Sequence, residues 1–463
     1  MCGQMKETEQ RLHEAIKGVS TTKRVIIGPD ALAQTPACFA ECLGSQPAVV
    51  IADRNTYRAA GQAVVDAFAA GGFRTRELLV IEDDDLHAEY RFVEMLTEFL
   101  SGTDAIPVAV GSGTINDLVK LASHQCGKPY MVVATAASMD GYAAFGASIT
   151  KDNYKQTIFC PAPVALIADI GVLEDAPEGM NASGYSDLIA KIPAGADWML
   201  ADALGIEPIH EAAWSLVQPN LRKWVGNPEG IRNNDRDALI MLMEGLIMSG
   251  LAMQVAQSSR PASGADHLFS HLWDNEHHVH NGVVPSHGIK VGIGSICSEA
   301  LYEYILSLNA DDIRYDADSI SRRWPTWSDV EAQVAQYFRD PQLAEQATAQ
   351  CKGKYINADA LSARLKRLHS MWEDLRVRLR GQLLGAGAIQ DMISRAGAAS
   401  LPTEIGIGYT RLHDSFRPAQ LLRQRYTVLD LALEMGVWDE SVGSLFGPNG
   451  FWRNAQDEDC DRL

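Results

Sequence analysis

His267, His271 and His287 stand in one stretch, Ser263 to Gly288, that holds half of the chain's 12 histidines. His267 and His271 are four residues apart, a spacing that puts both imidazoles on one helix face, one turn apart. His287 follows a loop containing Gly282 and Pro285 and precedes Gly288. Neutral imidazole is the commonest side-chain metal ligand. Two or three imidazoles converging with a carboxylate make a catalytic metal site with an open position. The alternative is a solvated, histidine-rich loop between two helices, and the stretch alone leaves both open.

A carboxylate is available in Asn181-Ala-Ser-Gly-Tyr-Ser-Asp-Leu-Ile-Ala-Lys191. Asn181 or Ser183 is placed to cap a helix, and Asp187 then falls in its first turns. A lone Asp there is ordinarily a surface residue facing the helix dipole. At a joint between domains, where clefts form, Asp187 facing His267 and His287 completes a site of one oxygen and two nitrogens.

Other segments have the chemistry to hold a nucleotide. The apolar run Ile106–Val110 leads straight into Gly111-Ser112-Gly113-Thr114-Ile115. Glycines between a buried strand and a helix let backbone approach a phosphate, which the helix N-terminus attracts. The sequence is neither G-x-G-x-x-G nor a Walker loop, and a tight strand–helix turn would read the same. Asp53 closes another strand, where it can accept from ribose hydroxyls or cap the following helix. Thr135-Ala-Ala-Ser138 follows a further strand, at the end where open α/β sheets bind ligands. Asp140-Gly141 beyond it makes an ordinary turn or presents a carboxylate to ligand.

These pieces need a scaffold, and its elements are legible. Strands are expected at Val25–Ile27, Ala48–Ala52, Leu78–Ile81, Ile106–Val110, Tyr130–Ala134 and Val164–Ala168, with a helix over Tyr57–Ala70 and a hairpin within Ala143–Cys160. Continuous apolar strands alternating with helices mean a mainly parallel sheet covered on both faces. After Gly171 long helical periods dominate: Ala182–Leu204, Arg236–Gln257, Lys290–Leu308 and Ala358–Leu384. The reading is α/β plus all-α: a Rossmann-like dinucleotide-binding domain over residues 1–172, then an all-helical metal- and substrate-binding domain over 173–463. Pro177 and Gly179 mark the joint. The acidic end, residues 454–463, is expected to fray.

Composition narrows the partners. A chain of 463 residues, 46% hydrophobic, can bury two cores. Its net charge of −19 argues against nucleic acid or an anionic membrane as partner. No run has transmembrane length, the start lacks an apolar secretory core, and the scattered cysteines form no C-x-x-C pair. A cytoplasmic protein with reduced thiols is expected.

The ordered set G-S-G-T-I-N-D-L-V-K, T-A-A-S-M-D-G, S-G-Y-S-D-L-I-A-K, H-L-F-S-H-L-W and S-H-G, with the later I-G-I-G-Y and L-R-Q-R-Y-T-V-L-D-L-A, resembles the glycerol-1-phosphate dehydrogenase family. That family lies among metal-dependent alcohol dehydrogenases with a dehydroquinate synthase-like fold, and the resemblance covers roughly residues 23 to 440. It implies that Asp187, His267 and His287 bind one divalent metal, zinc or nickel. It implies that Asp140 and His271, with Asp187, act on the substrate. Asp53, Gly111, Ser112, Gly113, Thr114, Ile115, Thr135 and Ser138 would hold NAD or NADP. The implied reaction is reversible reduction of dihydroxyacetone phosphate to sn-glycerol 1-phosphate, by a homo-oligomer acting on a small phosphorylated ketone or alcohol.

Two departures stand out. Ala144 occupies the place where family members often have a cofactor-contacting serine. The stretch between the second and third histidines is longer, with His277, His278 and His280 expected as solvated loop residues. Lys191 and Arg260 lie near the motifs and could meet a phosphate, but surface ion pairs are the simpler expectation for both. Rival readings keep the fold and change the substrate: a glycerol dehydrogenase acting on unphosphorylated polyols, or a dehydroquinate synthase-like cyclase. The cyclases typically use Glu rather than Asp as the carboxylate ligand. A non-catalytic protein with a structural zinc ranks last, since no cysteine lies among the histidines.

Overall fold

The computed structural model describes residues 2–83, 86–152 and 154–453; the acidic end that was expected to fray lies outside the described residues. Six parallel strands, β1 (Arg24–Gly28), β2 (Ala48–Asp53), β3 (Leu79–Ile81), β4 (Ile106–Gly111), β5 (Met131–Ala134) and β8 (Ala165–Asp169), form a sheet in the order β1-β8-β5-β4-β2-β3. An antiparallel hairpin, β6 (Ala147–Lys151) and β7 (Tyr154–Ile158), stands apart from it. Every expected strand forms. Their runs are apolar throughout because both faces are covered: Ala48 to Ala52 are each at most 2% exposed.

The chain reverses direction across the sheet between β2 and β4. β3 lies outward of β2, whereas β5 and β8 lie on the far side of β4. Such a switch point opens a crevice beyond the carboxyl ends of the strands. Asp53 ends β2 and Gly111 ends β4, so both border that crevice.

The helices used below are α1 (Cys2–Ile16), α2 (Gly113–Gln125), α3 (Met180–Ile189), α4 (Lys191–Ala203), α5 (Arg236–Ala256), α6 (Ala265–Asn275), α7 (His287–Ser307) and α8 (Tyr409–Leu421). The expected helix Ala182–Leu204 is broken at Ala190 into α3 and α4. Pro193, in the first turn of α4, has no N–H for the carbonyl of Ile189. α1 was not foreseen. Its Thr8 hydroxyl and Arg11 guanidinium both bond the buried Glu244 carboxylate of α5.

Two compact units interleave along the chain. One contains Met1–Leu188, Glu211–Ala262 and Arg395–Ala398; the other contains Ile189–His210, Ser263–Ser394 and Ala399–Leu463. α5 packs against α1, β1 and the Gly141–Ala143 turn, which draws it into the α/β unit. α5 is long and apolar enough to cross a membrane, yet 94% of its apolar window is buried inside the protein. Six described cysteines are free thiols.

Candidate active site

In the α/β unit, β4 passes into α2 through the turn at Gly111–Gly113. Ser112 sits at the N-cap in extended conformation and its side chain makes no capping bond. Gly111 is needed here: a Cβ would lie 2.5 Å from that of Ile115. Thr135, beyond β5, donates its N–H to the carbonyl of Gly111 at 3.2 Å. The glycine turn and the Thr135–Ser138 segment thus leave neighbouring strands side by side, Gly111 pairing with Ala134. Asp53 caps the helix after β2: Oδ1 accepts from the N–H groups of Asn55 at 2.7 Å and Thr56 at 3.0 Å. That helix starts at Arg54, three residues before the expected Tyr57.

Asp140 is 7% exposed. Its Oδ2 accepts from Ser249 Oγ of α5 at 2.8 Å, and its N–H donates to Asp187 Oδ2 at 3.0 Å. The loop after it hangs on a buried lysine: Lys120 Nζ donates to the carbonyls of Gly141, Ala144 and Gly146 at 2.9, 3.0 and 3.0 Å. Ala144 packs with Phe145, Met253 and Ala262 in a small apolar cluster, which a serine hydroxyl would disrupt.

Asp187 is fully buried in α3, unlike the ordinary surface Asp of a helix start. Two residues of its motif explain how α3 reaches the 135–138 segment. Gly184 has no room for a side chain, since a Cβ would sit 1.8 Å from the Ala137 carbonyl oxygen. Asn181 does not cap. It lies inside α3, its Oδ1 accepting from the Ala137 N–H at 3.0 Å and its Nδ2 donating to the Leu173 carbonyl at 2.8 Å.

The other unit gathers the histidines. His267 and His271 project from α6 and His287 opens α7. The ring centroids are 5.3 Å apart for His267–His287, 6.2 Å for His267–His271 and 6.3 Å for His271–His287. Gly294 makes this approach possible: a Cβ there would lie 2.2 Å from the Asp266 carbonyl oxygen, so α7 rests on the backbone of α6. The Lys290–Asp274 ion pair joins the same two helices. The solvated-loop alternative therefore fails for these three residues.

Asp266, buried directly before His267, was not singled out from sequence. Its carboxylate bonds His267 Nδ1. A carboxylate there keeps a proton on Nδ1 and leaves the Nε2 lone pair for a metal. A weaker contact of 3.4 Å joins His287 Nδ1 to Ser270 Oγ. The His271 imidazole is held well below its ordinary pKa, chiefly by burial and then by Arg423 and the two other histidines. The signal for Asp266 was its adjacency to His267, but an acidic residue in a first helix turn reads as a dipole partner.

Three further expectations are corrected. His278 is not solvated: it is 7% exposed, with Nε2 2.6 Å from the Ile405 carbonyl and Nδ1 2.8 Å from Arg411. Lys191, in the first turn of α4, and Arg260, in the turn after α5, are not surface residues either, at 0% and 1% exposed.

The family of iron-containing alcohol dehydrogenases matches residues 26–177. Among its relatives, the glycerol-1-phosphate dehydrogenase of Halalkalibacterium halodurans is 35% identical over 55% of this chain and 64% of its own length. That of Bacillus velezensis is 36% identical over 58% of this chain and 68% of its own. That of Bacillus subtilis is 29% identical over 89% of this chain and 91% of its own. A solved structure of a probable glycerol dehydrogenase from Sinorhizobium meliloti superposes with a TM-score of 0.57, 14% identity, and coverage of 92% of this chain and 99% of that one.

Proposed function

Because the chain belongs to the glycerol-1-phosphate dehydrogenase family, we propose that it catalyses the reversible NAD(P)H-linked reduction of dihydroxyacetone phosphate to sn-glycerol 1-phosphate. The observation that carries the reading is the convergence of His267, His271 and His287 in a chain whose other half ends β2 and β4 at a nucleotide-type crevice. We assign cofactor binding to residues 1–172 and metal and substrate binding to 173–463, with Asp140 as a substrate contact from the first of these.

The metal ligands in this reading are Asp187, His267 and His287. One aspartate and two histidines supply a carboxylate oxygen and two imidazole nitrogens as donors. The donor set fits a zinc or nickel site with an open position. His267 fits it in detail, since Asp266 engages Nδ1 and leaves Nε2 to ligate. When bound, the cation polarises a carbonyl and the nicotinamide supplies hydride.

The chain's own residues do the rest. Asp53, the Gly111–Ile115 turn, Thr135 and Ser138 hold the nucleotide, with helix N–H groups toward its phosphates. Asp140, oriented by Ser249, and Asp187 position the substrate hydroxyls. His271, whose charged form burial disfavours, relays a solvent proton in this reading, accepting at one ring nitrogen and releasing from the other. A cytoplasmic, homo-oligomeric enzyme completes the proposal.

The test is the initial rate of NADH oxidation by metal-loaded protein with dihydroxyacetone phosphate, compared with unphosphorylated dihydroxyacetone. Preference for the phosphate supports the reading. Preference for dihydroxyacetone replaces it with a polyol dehydrogenase. His287→Ala should remove bound metal and turnover together; turnover that survives without metal sinks the ligand assignment.

A further inference from the structure

The histidines between the second and third members of the cluster have no part in the chemistry above. One of them, His278, is as buried as a core residue. Its backbone N–H donates to the Trp273 carbonyl at 3.0 Å, closing the end of α6, while His277 before it adopts a left-handed conformation with φ of 52°. The loop then turns back through a bridge between His280 and Val283 and reaches Ser286, the N-cap of α7. Both ends of this loop therefore carry histidines of the cluster: His267 and His271 on α6, and His287 on α7.

The hydrogen bonds of His278 define its protonation. The Ile405 carbonyl can only accept, so Nε2, 2.6 Å away, must carry the proton. The Arg411 guanidinium can only donate, so Nδ1, 2.8 Å away, must be bare. Arg411, on α8, also pairs with Glu276 at 2.7 Å, at the start of the same loop. A second contact supports the docking: His280 packs so closely on Gly406 that a Cβ there would lie 2.3 Å from its ring nitrogen. The Gly406 φ of 74° suits glycine independently. The loop is thus pinned to the 405–411 segment at several points, and the central one needs a group that donates on one side and accepts on the other.

We infer that His278 is a positioning residue for the metal centre: a neutral latch, held between Ile405 and Arg411, that fixes the α6–α7 loop and thereby the place of His287. Protonation at Nδ1 would face Arg411 with a second positive charge, with Lys290 adding to it and Glu276 opposing it. Burial and Arg411 already hold His278 below its ordinary range, which keeps the latch neutral. The inference rests on the assignment of His267 and His287 as metal ligands. The chemistry needed at position 278 is an N–H donor and an acceptor on one planar group, which a glutamine amide can also present.

The experiment compares wild type, His278→Ala and His278→Gln, each loaded with zinc and transferred to excess chromogenic chelator, with thermal unfolding recorded in parallel. Hydrogen exchange over residues 276–286 is measured on the same samples. Expected are zinc release at least about ten-fold faster in His278→Ala, faster exchange of the loop, and return toward wild-type release in His278→Gln. Arg411→Ala, which removes the group that holds Nδ1 from outside the loop, should likewise release zinc faster than wild type, and it serves if the His278→Ala variant fails to fold. Release at the wild-type rate from folded His278→Ala overturns the inference, as does a glutamine variant that releases as fast as the alanine one. Failure of the metal reading itself shows separately, as wild-type protein that binds no zinc or His287→Ala protein that still binds it.

Discussion

Replacing Gly184 with Ala tests how the carboxylate side of the site is assembled. A Cβ at this position would lie 1.8 Å from the Ala137 carbonyl oxygen, with the carbonyl carbon at 2.7 Å. An ordinary carbon–oxygen contact needs roughly 3.3 Å, so α3 and the 135–138 segment must separate by about 1.5 Å. The obstacle is backbone, which cannot rotate aside as a side chain can. The separation pulls on two short bonds between the same parts, Asn181 to the Ala137 N–H at 3.0 Å and Asp187 to the Asp140 N–H at 3.0 Å. Overpacking of this kind costs about 1–3 kcal/mol of stability. Activity should suffer more, because a displacement of about 1 Å at a reacting constellation can lower turnover roughly 100-fold. The assay is kcat and KM for NADH oxidation with dihydroxyacetone phosphate, alongside nicotinamide binding by fluorescence and the Tm. A folded Gly184→Ala protein with kcat within about threefold of wild type would refute the reasoning, since the displacement would then have no catalytic consequence.

Asp266→Asn removes the carboxylate that holds His267 Nδ1, so zinc affinity measured by chelator competition should fall about 10- to 100-fold while the fold survives. Lys120→Met leaves three carbonyls without their shared donor; urea unfolding should show a loss of about 3 kcal/mol, and an unchanged midpoint would contradict the role given to Lys120. Burial pushes the Glu434 carboxyl up to about 7, with Arg364 pulling the other way. The folded state then binds a proton more readily than the unfolded one, so this group's stabilisation is full below its unfolded pKa of about 4.5 and is lost as pH rises through about 7. Tm should accordingly fall between pH 5 and 8 in wild type by more than in Glu434→Gln, and equal slopes would rule that linkage out.

Much of this protein is determined by local sequence. The strands were legible because a parallel sheet covered on both faces demands unbroken apolar runs such as Ala48–Ala52. The i, i+4 spacing of His267 and His271 was legible because the helix period puts such pairs on one face. Gly111 marked a tight strand–helix turn, where a Cβ would meet Ile115.

Tertiary structure decided the rest. Whether Asp187 is a surface residue or a buried carboxylate depends on what its helix packs against, and the close approach of Gly184 to Ala137 seats α3 on the 135–138 segment. Asp266 and His278 look like a dipole partner and a loop histidine in sequence. For Asp266 the partner is its own neighbour, the His267 ring, and what the fold adds is burial of the pair; for His278 the partners, Ile405 and Arg411, lie more than 120 residues away and are brought to it by packing. Helix α5 has the same apolar composition whether it lies in a second domain or against the sheet, and it joins the α/β unit through contacts with β1 and the Gly141–Ala143 turn. Period and composition state which face of an element is buried; what covers that face depends on long-range packing, which local patterns do not encode.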